Sequence, residues 1–481
     1  MNRSQLALLA ALCTAPLALC PSAAVGQSIV TSRGDSLTRE STSFTLVGGT
    51  RSGELSSLRV PTARGLRASP RIALRFIRFR STARTPAAPI VFLAGGPGDA
   101  ATRAFSTMPV AILDSLLGVA DVIAFDQRGT GRSEPNMACG PDGALPLDAA
   151  PTGKMRDSVA RAAAARCLAS VAARGIALEG FTTAESVEDI ESMRIALGVP
   201  SVSLLGGSYG THLGIAYLRK YGTKSTRAVL AGVEGPDDTF KRPKGPDGVF
   251  AEVARLAGKD SAFRARAPLL TVFDKLRAQL NKTPIKLTQG STTVVITAWD
   301  LQRLVADALG DMRSVSALPA AIYAIDSGNV APFARAAMQY RQARPINAMN
   351  VLMNCASGAS PARRRTIASE LPGSRLGTVI DFPATAVCEL PNLPRLPDAF
   401  RAHASSVSPV LFISGTLDGR TPPSNVESIL RDFPNGRHLV VEYQSHSLLG
   451  DRDVLSNTLL FLRGVDVPSA RITRPPPIFK H

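Results

Sequence analysis

Six short runs in this chain are apolar almost from end to end, most of them with Gly, Pro or Asp on at least one flank: Ile90 to Leu93, Val122 to Phe125, Val202 to Leu205, Ala228 to Ala231, Val410 to Ile413 and His438 to Val441. A strand with one wet face alternates in polarity, so a strand that does not alternate is covered on both faces, as in a parallel sheet flanked by helices. The spacing leaves room for helices between the runs. Three earlier segments, Ser43 to Val47, Glu54 to Val60 and Arg71 to Phe79, read as antiparallel strands. The expected fold class is α/β.

The repetition stops between Ala231 and Val410, and the roughly 180 intervening residues are too many for a crossover. Their pattern is mostly helical, as in Phe250 to Leu256, Leu269 to Leu280 and Leu301 to Leu309. The stretch 239–405 is therefore expected to form a helical cap over the C-terminal edge of the sheet, where open α/β sheets bind ligands. It divides the core into 27–238 and 406–465. The tail 466–481 contains Pro475-Pro476-Pro477 and is expected to run extended over the surface.

One motif carries chemistry. Gly206-Gly207-Ser208-Tyr209-Gly210 follows an apolar strand and precedes a helical run from Leu213 to Tyr221. That is the strand-turn-helix setting of a nucleophile elbow, where Gly206 and Gly210 are needed because a β-carbon would clash. A serine hydroxyl needs a base, and the base needs an acid to orient it. Of five histidines, His481 is terminal, His403 lies in the insertion, His438 opens a strand and His212 sits one turn down the elbow helix. His446, in the loop beyond the last apolar strand, is the candidate base. Asp418 stands in the loop after Val410 to Ile413 and is the candidate acid, with Asp432 and Glu442 as competitors. The chain order Ser, Asp, His suits an elbow serine. Acyl transfer also requires donors for an oxyanion, and the amides of Tyr209 and of Gly96, or its immediate neighbour, are expected to supply them. Gly96 lies in Leu93-Ala94-Gly95-Gly96-Pro97-Gly98, which otherwise reads as a tight turn.

Four segments in order, Ala94 to Gly98, Asp126 to Ser133, Thr182 to Glu191 and Gly206 to Gly210, make the chain resemble the proline iminopeptidase and tripeptidyl-aminopeptidase branch of the α/β-hydrolases. The likeness runs to about Pro236 and resumes from Pro409 to His446; across the cap only Asn354 to Gly358 looks familiar. The resemblance implies an α/β-hydrolase fold and a serine exopeptidase acting on free N-termini without metal or cofactor, its triad falling on Ser208, Asp418 and His446. Many relatives carry a histidine where this chain has Ala94, which bears on the support of that loop. An aminopeptidase needs a carboxylate to offset desolvation of the substrate ammonium. Glu234, after the strand ending at Ala231, is the candidate, with a structural role at the cap hinge as its competitor. In Asp126 to Ser133 the Asp and Arg read as a structural pair pinning the loop. An esterase on the same triad is the alternative reading, and a hydrolase shell without chemistry is a third.

Residues 1–26 have the shape of a secretory signal: Arg3, an apolar run from Leu6 to Leu19, and small residues before Gln27, with an anchor as the competing reading. Export would remove Cys13 and Cys20 and leave Cys139, Cys167, Cys355 and Cys388. Three pairings are possible; the favoured one joins neighbours in sequence, Cys139 with Cys167 and Cys355 with Cys388, against an alternative of free thiols. The expected setting is periplasmic or secreted. The net charge of +17 comes from scattered arginines, without a basic helix interleaved with aromatics, so the expected partner is a small peptide or small molecule and not nucleic acid. No later stretch is apolar enough to suggest stable membrane insertion after signal removal.

Overall fold

The computed structural model describes residues 29–481; the expected signal segment and its cysteines lie outside them. One sheet of eleven strands organises the chain, with spatial order Ile29–Val30, Ser36–Leu46, Gly49–Pro61, Arg71–Phe79, Val122–Phe125, Ile90–Leu93, Val202–Gly207, Ser225–Ala231, Val410–Gly415, Gly436–Val441, Ala470–Ile472. Pairing is antiparallel up to the contact of Arg71–Phe79 with Val122–Phe125 and parallel thereafter. The runs that lack alternation are the central strands: every residue of Ile90–Leu93, Val122–Phe125 and Val410–Gly415 is buried. Apolar side chains cover one face through the elbow helix Tyr209–Tyr221 and its neighbour Thr183–Ala196, and the other through Ala101–Ser106, Val110–Leu117 and Arg452–Leu462.

The stretch from 239 to 405 adds no strand to this sheet. It holds the helices Lys244–Ala257, Leu269–Lys282, Ala298–Ala308, Met312–Asp326 and Ala331–Arg341, whose apolar faces form their own cluster around Phe250, Phe273 and Leu301. It is less purely helical than its pattern suggests. Ile285–Gln289 and Thr292–Ile296 make a hairpin, and Arg344–Asn347 pairs with Ala138–Asp142, a strand from the first part of the chain. The helix Gly153–Ala172 packs on Ala348–Ser357 and Ala384–Val387, so sequence-distant segments share one layer. Both favoured disulfides are formed, Cys139–Cys167 and Cys355–Cys388. Among the described residues no helix is long and apolar enough to cross a membrane.

The tail departs from a simple surface course. Ala470–Ile472 joins the sheet beside Gly436–Val441, and Phe479 is buried against Phe263 in the cluster of the insertion, with the Lys480 amide donating to Ser316. Proline removes local donors but leaves the flanking residues free to pair and bury, and these do both.

Candidate active site

Ser208 ends the strand Val202–Gly207 and precedes the helix Tyr209–Tyr221, with φ 53° and ψ −127°. A positive φ is strained for a residue with a β-carbon and persists only where the surroundings enforce it. They do so here by closeness. A β-carbon on Gly210 would fall 2.0 Å from the Leu93 carbonyl oxygen, and one on Gly206 2.7 Å from the Gly210 oxygen, so both glycines are obligatory as their spacing implies. The Ser208 amide donates to the Ala231 oxygen at 3.0 Å, holding the elbow against the next strand.

His446 and Asp418 arrive from the two loops beyond Gly436–Val441 and Val410–Gly415. His446 Nδ1 lies 2.8 Å from Asp418 Oδ2, with the carboxylate wholly buried and the imidazole largely so. The ring rests on Gly232, where a β-carbon would meet His446 Cε1 at 3.1 Å, one residue past the Ala231 carbonyl that holds Ser208. Serine and histidine thus flank the same point of the backbone. Asp418 is saturated: Oδ1 accepts the amides of Arg420 and Thr421 at 2.8 and 2.9 Å, and Oδ2 accepts the Thr421 hydroxyl at 2.6 Å as well as the imidazole. Thr421 Oγ1 is also 3.0 Å from His446 Nδ1, so this one side chain braces acid and base together. Sequence reading missed it; its only signal is a hydroxyl three residues after an aspartate, the spacing of a side-chain turn.

The competing residues are engaged elsewhere. Asp432 pairs with His403 at 2.7 Å and Glu442 with Arg471 at 3.5 Å. His212 is buried between the Gly235 carbonyl and the Ser357 hydroxyl, and His438 contacts the Ser414 hydroxyl with its basicity lowered by burial to a pKa of about 4. The expected Asp–Arg pair within 126–133 does not form. Asp126 instead accepts the amides of Thr102 and Arg132 and the Thr102 hydroxyl, while Arg128 reaches out of the loop to Asp189 at 2.6 Å, both side chains fully buried. A carboxylate saturated by nearby N–H groups has no need of a guanidinium, and Arg128 finds a dry partner better matched to its fork.

Among the described residues, neither the Gly96 nor the Tyr209 amide has an acceptor, which leaves both available to an oxyanion. Gly95 packs so closely on the elbow that a β-carbon there would lie 3.2 Å from Ser208 Cβ. Without a histidine at Ala94, support comes from above: Asn350 Nδ2 donates to the Pro97 oxygen at 2.7 Å and Asn347 Nδ2 to the Gly98 oxygen at 3.2 Å, while Gln127 reaches Ala94. These asparagines lie some 250 positions away in sequence, and no local pattern points to them. Asn354 and Cys355, of the Asn354 to Gly358 segment, line the same cavity.

That cavity measures about 280 Å³, with Gly96 and Ser208 at its floor and Arg303, Asn350 and Asp381 among the inserted residues above. Glu234 lines it too, but its carboxylate is not bare. Lys241 Nζ sits 2.8 Å from Glu234 Oε2, while Oε1 is buried without a partner of good geometry. Burial acts to raise the Glu234 pKa, but the Lys241 ammonium, with His212 nearby, outweighs it and holds the carboxyl below its usual value. Asp381 accepts the Lys241 amide at 2.7 Å and is pushed up by burial to about 7, beyond what Lys241 offsets.

An elbow serine at the edge of a mostly parallel sheet, with a histidine–aspartate pair from the following loops, defines the α/β-hydrolase class. A family model for the alpha/beta hydrolase fold matches residues 88–453, and the chain belongs to that family. The chain is similar to serine protease Hip1 of Mycobacterium tuberculosis, 29% identical over 203 residues that cover 40% of this chain and 36% of the relative. Similarity to the tripeptidyl aminopeptidase of Streptomyces coelicolor is 29% over 214 residues, 41% of this chain and 39% of the relative. The proline iminopeptidase of Xylella fastidiosa is 27% identical over 150 residues, 30% of this chain and 32% of the relative. The matches thus span between 32% and 39% of the relatives' length.

Proposed function

We propose that the protein is an exported serine aminopeptidase that releases N-terminal residues from short peptides through an acyl-enzyme. The observation that carries the reading is the Asp418–His446 contact at 2.8 Å, from the loops that converge on the elbow, together with a strained Ser208 in a cavity that also contains the half-satisfied Glu234 carboxylate. His446 Nε2 takes the hydroxyl proton as Ser208 Oγ attacks the scissile carbonyl carbon, and Asp418 stabilises the imidazolium. The amides of Tyr209 and Gly96 receive the oxyanion. Collapse breaks the C–N bond, His446 returns its proton to the departing amine, and water then repeats the sequence on the ester. The Glu234 carboxylate supplies the negative charge for the substrate ammonium, and the insertion acts as the cap that excludes water. The peptidase names of the relatives and the two disulfides, suited to an oxidising compartment, support the same reading.

The Glu234–Lys241 ion pair favours a second reading, because a carboxylate already neutralised suits an uncharged acyl group and an esterase. Aminoacyl and short-peptide naphthylamides with free or blocked N-termini, assayed beside short-chain p-nitrophenyl esters, separate the two. Cleavage confined to free amines and lost in Ser208→Ala is expected. Ester cleavage alone, or indifference to blocking, refutes the aminopeptidase.

A further inference from the structure

In the reaction proposed above, His446 protonates the departing amine, so the leaving peptide must run along the wall of the cavity on the histidine side. Arg420 stands on that wall. It follows Asp418 by two residues and precedes Thr421, which touches His446 Nδ1 at 3.0 Å. Its side chain lines the cavity of Ser208 and also an adjoining cavity of about 280 Å³, the two sharing Arg420 and Lys241 as common walls.

The second cavity is strongly cationic, with Lys241, Arg242, Lys244, Arg363 and Arg420 against a single carboxylate, Asp238. Three of these cations are already matched: Lys241 with Glu234, Arg242 with Glu370, and Arg363 with Asp238. Among the described residues neither Lys244 nor Arg420 has a carboxylate within 4.0 Å, but of these two only Arg420 also lines the cavity of Ser208, and its guanidinium donates to no protein acceptor. The adjacent end of the helix Ala298–Ala308 does not use it either, since the Leu309 oxygen already accepts the Gly419 amide and the Ser445 hydroxyl. The residue is exposed, and its side chain lies across Gly310 so closely that a β-carbon there would come within 2.2 Å of Arg420 Nε. A guanidinium on the cavity wall with its fork of donors unused by the protein matches the geometry of a planar anion.

We propose that Arg420 receives the C-terminal carboxylate of the leaving group, which makes the preferred substrates short peptides with a free C-terminus. The inference rests on the aminopeptidase reading, and it assigns a specificity residue for the leaving group.

The test uses matched short peptides ending in a free acid or an amide, with wild type, Arg420→Gln and Gly310→Ala, each checked for an unchanged fold by circular dichroism and thermal melting. Gly310→Ala displaces only the far part of a flexible side chain, so it moves the guanidinium without removing it. Wild type is expected to favour the acid in kcat/KM by about tenfold or more, chiefly through KM, as a charge-assisted bidentate contact implies. The preference should fall to near one in Arg420→Gln and shrink in Gly310→Ala. Equal cleavage of acid and amide by wild type, or a preference that survives in both variants, overturns the proposal. Free-amine naphthylamides carry no carboxylate and report on the aminopeptidase reading separately: their cleavage with no acid preference refutes Arg420 alone, and their resistance refutes both.

Discussion

Replacing Asp418 by Asn tests the triad more sharply than removing the serine, because the geometry dictates which way the new amide must face. Asp418 Oδ1 accepts two backbone amides, from Arg420 and Thr421, and these cannot turn away. The asparagine carbonyl must therefore take the Oδ1 position, which places the NH₂ at the Oδ2 position, 2.8 Å from His446 Nδ1. Two donors cannot share that contact, so Nδ1 becomes the acceptor and the ring proton moves to Nε2. The Thr421 hydroxyl, 3.0 Å from Nδ1 and no longer needed by a carboxylate, can donate to the ring as well and reinforces the same tautomer. Imidazole protonated on Nε2 cannot accept the Ser208 proton. A loss of about 10⁴ in kcat is expected, equivalent to roughly 5.5 kcal/mol of transition-state stabilisation, with little change in fold. Steady-state rates on whichever chromogenic substrate the wild type turns over, normalised by melting temperature and circular dichroism, provide the measurement. Asp432→Asn and Glu442→Gln serve as controls and should keep near wild-type rates. A fall of less than about tenfold in Asp418→Asn would refute the assignment of Asp418 as the orienting acid.

Gly210→Ala must push the elbow helix off the Leu93 carbonyl, so it should lower stability by about 3 kcal/mol or more and abolish activity together, read by urea denaturation and turnover. Arg128→Ala strands the buried Asp189 carboxylate with Arg64 alone and should cost about 3–5 kcal/mol in the same denaturation assay; a loss below about 1 kcal/mol would refute a structural role for the pair. Asp381 is raised to about 7 from an ordinary 3.8, so the folded state holds its proton more tightly than the unfolded state across that interval. This stability is fully present below about pH 4 and is lost as pH rises through about 7. Melting temperatures of Asp381→Asn should accordingly fall less between pH 5 and 8 than those of wild type, and parallel curves would exclude the shift.

The parts of the molecule legible in sequence are those written locally. Val410 to Ile413 lies in the acid-bearing strand, which extends to Gly415, and the elbow glycines stand where 2.0 and 2.7 Å approaches leave no room for a β-carbon. The cysteines pair with sequence neighbours, because separations of 28 and 33 residues fit within single supersecondary units. What escaped is written across distance. The strand 138–142 finds its partner at 344–347, and Asn350 supports a loop 253 residues earlier. Such contacts leave no periodicity. The same holds for Glu234, whose role turns on Lys241: the position after a parallel strand was visible, the ion pair that half neutralises it was not.

The tail sets a mechanical limit on the molecule. Its strand Ala470–Ile472 is bonded to the edge of the sheet, while Phe479, seven residues further on, is sunk among the helices of the insertion. Between them, Pro475, Pro476 and Pro477 stiffen a spacer that spans about 3.1 Å per residue in its favoured conformation, and roughly 3.5 Å at full stretch. Going from the favoured to the fully stretched conformation would lengthen such a spacer by only about 3 Å. The helical layer can therefore swing about this strut but cannot lift straight away from the sheet unless Phe479 leaves its socket.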